Sequence, residues 1–157
     1  MSETVYIETS MVGYLTARPS NNLILMANLE VTQEWWDNRR DQFTLYISQV
    51  VLDEVARGNA EIANRRLEIL RDFPLLKVNE SVQGLATQFL AKSNLPAKAF
   101  DDALHIAVAT FYGLDYLLTW NCKHIANAQI QKKLAQISTE AGYELPTICT
   151  PYELMGE

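Results

Sequence analysis

Four side chains with oxygen ligands lie where predicted strands end or predicted helices begin. Glu8 follows one strand directly, Glu54 lies on the helix after a second strand, Asp102 opens a helix, and Asn121 follows a later strand. Clustered carboxylates repel one another unless a divalent cation neutralises them, and Mg²⁺ or Mn²⁺ suits oxygen ligands. The chemistry that this pattern indicates is metal-assisted hydrolysis, for instance of a phosphodiester.

Each of these residues also has a simpler structural explanation. An aspartate such as Asp102 is favoured at a helix start by the free N–H groups there, Glu54 could pair with Arg57 on the surface, and Asn121 could cap a turn. Glu8 is harder to explain in this way. A carboxylate directly after a central strand is at least partly buried, and a lone buried charge is costly.

Other catalytic classes lack their motifs. The sequence contains no Walker A or dinucleotide-binding glycine pattern and no nucleophile elbow. Its two cysteines, Cys122 and Cys149, form no zinc-binding pair with the only histidines, His105 and His124. We interpret His105 as a half-buried histidine with its hydrogen bonds satisfied. A phosphatase or phosphotransfer domain would need a nucleophilic aspartate where Glu8 stands.

Length and charge set the general class. The 157 residues, 48% apolar, predict one domain spanning residues 1–157 with its own core. Thirteen Lys and Arg against 19 Asp and Glu exclude a broad basic field but leave room for a local basic patch. We expect a cytoplasmic protein with free thiols, since no signal segment or apolar run of membrane-spanning length is present.

Strands alternate with helices along the chain, which predicts an α/β fold. The expected architecture is a three-layer α/β/α sandwich with a mostly parallel sheet of about five strands, in which ligands bind at the carboxyl ends of the strands. The predicted strands are residues 4–7, 44–47, 75–78, 116–119 and 147–149. The predicted helices are residues 22–40, 48–57, 61–71, 81–91, 100–112 and 128–141.

In order and spacing, nearly the whole chain resembles the PIN-domain family. Four segments carry the resemblance: YIETS at 6–10, SQVVLDEV at 48–55, DALHIA at 102–107 and LLTWN at 117–121. The form IETS is similar to VapC-like toxins of type II toxin–antitoxin pairs. The resemblance implies a PIN-like sandwich and a ribonuclease that depends on Mg²⁺ or Mn²⁺.

The resemblance also assigns roles by position. It implies that Glu8, Glu54, Asp102 and Asn121 form the catalytic and metal-binding set, with Ser10 and Asp101 in support. Two positions depart from the family pattern, because Glu8 and Asn121 stand where aspartates are usual. One negative charge fewer predicts weaker metal binding, above all of a second ion.

RNA and protein partners are the remaining expectations. Arg57 and Lys123 follow proposed site residues and are expected to bind the phosphates beside the cut, although a solvated surface would also explain them. The resemblance favours a homodimer and an antitoxin partner. Trp35 and Trp36 fit either deep core or an interface with such a partner. The alternative function is a catalytically weak or inactive PIN-like module that binds RNA or a protein.

Overall fold

Five parallel strands form one sheet in a computed structural model that describes residues 2–156. Met1 and Glu157, the two ends of the predicted domain, lie outside the described residues. The strands are β1 Glu3–Ile7, β2 Phe43–Ser48, β3 Leu75–Leu76, β4 Tyr116–Leu118 and β5 Thr147–Cys149. The helices are α1 Thr9–Leu15, α2 Leu23–Asn38, α3 Gln49–Val55, α4 Ala60–Leu70, α5 Glu80–Lys92, α6 Phe100–Phe111 and α7 Ala128–Glu140, with short 3₁₀ turns at Arg40–Gln42, Ala97–Ala99 and Pro151–Leu154.

The strand order is β3-β2-β1-β4-β5, which places β1 at the centre. β1 pairs in parallel with β2 on one side, where Val5 faces Leu45, and with β4 on the other, where Tyr6 faces Leu117. The chain first moves outward from β1 to β3 and then returns to the opposite side at β4. The carboxyl ends of β1 and β4 therefore form the topological switch point, the place where such sheets bind ligands.

The helices cover the sheet in two layers, as predicted. Right-handed crossovers put α1 to α4 on one face, because the first two connections run in the same direction across the sheet. The later connections run in the opposite direction, so α5 to α7 cover the other face. The core between the layers includes the fully buried side chains of Tyr6, Phe89, Ile106 and Leu117. The predicted three-layer parallel fold is confirmed.

The helix N-termini fall into two groups. In α2, α4, α5 and α7 an asparagine side chain accepts hydrogen bonds from the first-turn N–H groups; the four residues are Asn22, Asn59, Asn79 and Asn127. Within residues 2–156, α1, α3 and α6 have no such side-chain cap. Ser48 occupies the N-cap position of α3, but its hydroxyl is used elsewhere. These three helices carry the candidate site.

Most predicted elements agree with the structure to within a few residues. Gly58 and Gly113, which follow α3 and α6, have φ angles of +88° and +66°, the left-handed region typical of glycine after a helix. α1 was not predicted. The sequence allowed Trp35 to lie either in the core or at an interface. Trp35 lies in the core, since it is fully buried and donates its indole N–H to the Leu154 carbonyl oxygen at 3.0 Å. Among the described helices, none has the length and apolar character to cross a membrane.

Candidate active site

Glu8 lies at the switch point between β1 and β4 and is only 4% exposed. Its backbone N–H donates to the Leu118 carbonyl oxygen on the neighbouring strand. The Oε1 atom accepts hydrogen bonds from the hydroxyls of Ser10 and Thr119, the latter at 2.5 Å. Because both donors converge on Oε1, the second carboxylate oxygen, Oε2, remains available.

Glu54 approaches Glu8 from α3 and is also held through one oxygen. Its Oε1 accepts from the Thr9 hydroxyl at 2.6 Å and from His105 Nε2 at 2.5 Å. A carboxylate only accepts, so the imidazole N–H is the donor. Burial works to raise the pKa of Glu54, but His105, the hydrogen bond from Thr9 and the charge of Arg57 together lower that pKa below 4.5. The carboxylate is therefore held in its charged form.

His105 is fully buried on α6 and links Glu54 to the centre of the sheet. Its Nδ1 is hydrogen-bonded to the Tyr6 hydroxyl at 2.7 Å, and that hydroxyl is bonded to Ser48 Oγ at 2.7 Å. Burial alone would lower the pKa of His105, but the hydrogen bond to Glu54 and the charges of Glu8, Glu54 and Asp102 outweigh it and raise the pKa above 6.5. Burial is also the main reason why the pKa of Tyr6 lies well above 10.0.

Glu8, Glu54 and His105 form a compact group whose two carboxylates can hold a metal ion, while His105 Nε2 carries the proton that it donates to Glu54. One ligand atom from each lies within 4.8 Å of the others, and His105 Nε2 is 3.9 Å from Glu8 Oε2. Within residues 2–156, neither Oε2 of Glu8 nor Oε2 of Glu54 accepts a hydrogen bond. A buried carboxylate, Glu8, and a half-buried one, Glu54, each with one oxygen fixed and one open, fit a divalent cation that prefers oxygen ligands.

Asp102 begins a second cluster rather than belonging to this trio. Its Oδ1 accepts from Asn121 Nδ2 at 3.1 Å, and its Oδ2 is 3.0 Å from His124 Nδ1. Its charge still acts on His105, which lies one helical turn further along α6. The Asn121 side-chain oxygen accepts the His124 backbone N–H at 3.0 Å. In this arrangement Asn121 supports Asp102 with its amide group and uses its oxygen within its own loop.

The expected supporting and RNA-binding residues lie around these two clusters. Besides donating to Glu8, the Ser10 hydroxyl accepts the Trp120 backbone N–H at 2.8 Å, which ties α1 to the end of β4. Asp101 points outward, where its carboxylate is 3.6 Å from the guanidinium of Arg57. Lys123 is exposed on the loop that contains Asn121. Arg57 and Lys123 thus flank the two clusters from separate loops.

The contact between His105 and Glu54 is the feature that the sequence interpretation missed. The sequence indicated a satisfied histidine that was only half-buried, whereas His105 is fully buried and donates to a site carboxylate. The available signal was its spacing of three residues from Asp102, which puts both on one helical face. That spacing could not identify Glu54 as the partner, because α3 and α6 meet only in the folded chain.

The solved structures provide an independent comparison. No protein-family model and no curated protein matches the chain. One similar structure is VapC20 of Mycobacterium tuberculosis, a sarcin–ricin loop cleaving toxin, with a TM-score of 0.57 and 18% identity over 72% of this chain and 86% of that one. VapBC-1 from nontypeable Haemophilus influenzae has a TM-score of 0.58 and 17% identity, covering 95% of this chain and 98% of that one.

A third similar structure also aligns over nearly the whole chain. VapBC2 from Rickettsia felis, bound to a DNA fragment from its promoter, aligns with a TM-score of 0.52 and 16% identity over 94% of this chain and 98% of that one. Identities this low establish a common fold and leave the activity to be argued from the site. The order β3-β2-β1-β4-β5 and the alignment over nearly the whole chain agree with the motif resemblance. The chain has the VapC-like PIN-domain fold.

Proposed function

We propose that the protein is a metal-dependent endoribonuclease that hydrolyses RNA phosphodiesters. The observation that carries this proposal is the convergence of Glu8 and Glu54 at the switch point, each with one carboxylate oxygen fixed by hydrogen bonds and the other open. One buried and one half-buried negative charge beside a single histidine favour an added cation. A phosphodiester brought to that cation would be polarised for hydrolysis.

The metal would be held by Glu8, Glu54 and, on the neighbouring cluster, Asp102. A bound Mg²⁺ or Mn²⁺ would supply Lewis-acid activation of the phosphate and lower the pKa of a coordinated water. The chain fixes the direction of the carboxylates. Thr119 and Ser10 hold Glu8, Thr9 and His105 hold Glu54, and His124 and Asn121 hold Asp102. Asn121 acts in this scheme by positioning Asp102.

RNA binding is supported by local groups of arginines despite the net charge of −6. Arg57 lies near enough to Glu54 to lower its pKa. Beyond it, a cleft of about 430 Å³ between the end of α1 and the start of α4 is lined by Arg18, Arg65 and Arg66. We infer that these cations and Lys123 bind the phosphates flanking the scissile bond, which confines the positive charge to one rim.

We further propose that the protein is the toxin of a type II toxin–antitoxin pair. The support is the VapC-like fold together with the IETS segment, and two of the similar structures are VapBC proteins. An antitoxin partner and a homodimer belong to this proposal. Leu23 and Ile24, 85% and 76% exposed at the start of α2, are apolar residues available for such contacts. A cytoplasmic location is consistent with Cys122 and Cys149, both free thiols.

The experiment is cleavage of mixed structured and unstructured RNAs by the purified protein with Mn²⁺, with Mg²⁺ or with EDTA. Asp102→Asn is the test variant, and Asp115→Asn, at the other end of the sheet, is its matched control. We expect cleavage with either ion by the wild type and by Asp115→Asn. EDTA and Asp102→Asn should each abolish it.

The same assay evaluates the alternative function. RNA that is bound but not cut with any ion, by folded protein freed of co-purified partners, would contradict the nuclease and favour a binding module. Glu8 and Asn121 are the features that support this alternative, because both stand where the family pattern has an aspartate. Cleavage that persists undiminished in EDTA would instead contradict the role of the metal.

A further inference from the structure

We propose that Tyr6 and His105, anchored by Ser48, are positioning residues that fix the orientation of the Glu54 carboxylate for metal binding. This inference rests on the proposed function, because it assigns a purpose to the open oxygen of Glu54. The three residues form a continuous hydrogen-bonded chain from Ser48 Oγ through the Tyr6 hydroxyl and the imidazole to Glu54 Oε1, with links of 2.7, 2.7 and 2.5 Å.

This hydrogen-bonded chain joins residues from four separate elements. Ser48 ends β2, Tyr6 lies in the central strand β1, His105 is on α6, and Glu54 is on α3. The first three residues are fully buried. Because β1 and β2 pair in the sheet, the hydroxyls of Tyr6 and Ser48 are held on rigid backbone. The His105 imidazole on α6 connects these hydroxyls to Glu54 on α3 and so restrains the carboxylate.

The contact made by Ser48 indicates that the hydrogen-bonded chain does more than fill the core. It occupies the N-cap position of α3, where its hydroxyl could accept a helix N–H, a contact that typically contributes ~1 kcal/mol. Within the described residues it makes no such contact and is bonded to Tyr6 instead. Buried Phe, Leu and Ala would fill the same space without polar groups. The filling of space alone therefore does not account for three linked polar side chains.

The consequence for Glu54 lies in which oxygen is engaged. His105 and Thr9 both donate to Oε1, so rotation of the carboxylate would break two hydrogen bonds. This fixes Oε2 as the oxygen presented to the site. Residues that orient a metal ligand in this manner typically account for ~10–100-fold in metal affinity. Thr9 is partly exposed, which leaves the buried imidazole as the better-constrained donor.

The test measures Mn²⁺ affinity by calorimetric titration, together with the free energy of unfolding in EDTA. Tyr6→Phe keeps the ring and removes only the hydroxyl; we expect Mn²⁺ to bind roughly tenfold more weakly. The control is Tyr112→Phe, which likewise removes only a tyrosine hydroxyl; Tyr112 makes one hydrogen bond, to the Lys77 carbonyl oxygen at the far end of α6, whereas Tyr6 makes two. The control should bind Mn²⁺ as tightly as the wild type.

A second pair of variants separates the donor from the shape of the side chain. His105→Gln retains an N–H group that can reach Glu54, whereas His105→Leu has similar bulk and no donor. We expect His105→Gln to keep most of the Mn²⁺ affinity that His105→Leu loses. Adding Tyr6→Phe to His105→Leu should cause no further loss, because Tyr6 acts through His105. If His105→Leu does not fold, the Tyr6→Phe and Tyr112→Phe pair still decides the question.

The outcomes distinguish this inference from the proposed function. Mn²⁺ binding and RNA cleavage by the wild type with unchanged affinity in Tyr6→Phe would overturn the positioning role alone. Equal losses of affinity in Tyr6→Phe and Tyr112→Phe, following their losses of stability, would also overturn it, because they indicate a general structural effect. A folded wild type that neither binds Mn²⁺ nor cleaves RNA would overturn both proposals.

Discussion

Acidic residues gather at both ends of the sheet, but their surroundings differ. The site end, where the strands terminate, carries Glu8 and Glu54. The opposite end, where the strands begin, has Glu3, Asp115 and Glu144 around a cleft of about 410 Å³. All three carboxylates of the opposite end belong to exposed residues, whereas Glu8 is 4% exposed. A carboxylate in water needs no cation, while a buried one does.

The hydrogen bonds of the carboxylates also differ between the two ends of the sheet. At the opposite end, Asp115 accepts the backbone N–H and the hydroxyl of Thr4, at 2.8 and 3.0 Å, and so fastens β1 to the turn before β4. Glu3 accepts the hydroxyl of Tyr116 at 3.0 Å. These contacts join neighbouring strands and end in solvent. At the site end the donors to Glu8 and Glu54 include the buried Thr119 and His105, and each carboxylate is engaged through one oxygen only. The comparison teaches that enclosure, more than the number of acids, distinguishes the proposed metal site from the opposite end of the sheet.

The largest expected effect is on RNA cleavage. Removing the charge of a metal ligand, in Glu8→Gln or Glu54→Gln, should lower the cleavage rate by at least about 100-fold, above the usual range for residues that merely orient a ligand. Glu3→Gln makes the same change at the opposite end and should cleave at the wild-type rate. A cleavage rate that falls equally in all three variants would mean that total charge, and not the enclosed pair, controls activity.

Mn²⁺ should stabilise the fold through the site end only. At about 100 times its Kd, a ligand that binds only the folded state raises the free energy of unfolding by about 2.7 kcal/mol. Urea denaturation should show this increase in the wild type and in Glu3→Gln. The increase should vanish in Glu54→Gln. An undiminished increase in Glu54→Gln would place the ion elsewhere.

A complementary effect is expected from the opposite end. Asp115→Ala removes the contacts with Thr4 and should lower the free energy of unfolding by about 1 kcal/mol, since hydrogen bonds near solvent contribute modestly. RNA cleavage at a temperature where the variant is folded should not change. Reduced cleavage by folded Asp115→Ala would show that the two ends are coupled and would weaken the comparison.

The smallest effect is the pH dependence of stability without metal. The raised pKa of His105 gives stability that is present below pH 6.5 and lost as the pH rises through the folded-state value. The lowered pKa of Glu54 gives stability that is present above pH 4.5 and lost as the pH falls through its folded-state value. In EDTA, the free energy of unfolding of the wild type should therefore exceed that of Glu54→Gln most clearly between pH 4.5 and pH 6.5, where both contributions are present. A difference independent of pH would contradict the ion pair.

Much of the fold was predictable because its signals are local. Short β-branched segments and apolar residues at helical spacing located the strands and helices, and their alternation predicted the parallel sheet. The helix α1 was missed because it has only seven residues, contains Gly13, and follows the first strand after one residue. Helices this short gain their stability from tertiary packing, which a periodic pattern does not report.

The candidate site was predictable only in its residue types and its position. The strand-end rule predicted that Glu8 and Glu54 would lie close together, and the structure brings them together at the switch point. It did not predict that each would be held through a single oxygen, since the donors Thr119 and His105 come from elements more than 50 residues away along the chain. Nor could it predict that the Asn121 amide would contact Asp102.

The measurement that tests the central claim most directly is the anomalous diffraction of a crystal soaked in Mn²⁺. We predict an anomalous peak at bonding distance from Oε2 of Glu8 and Oε2 of Glu54, at the switch point between β1 and β4. The peak should be absent from a soaked crystal of Glu54→Gln. A peak confined to Glu3, Asp115 and Glu144, with none at Glu8, would contradict the account.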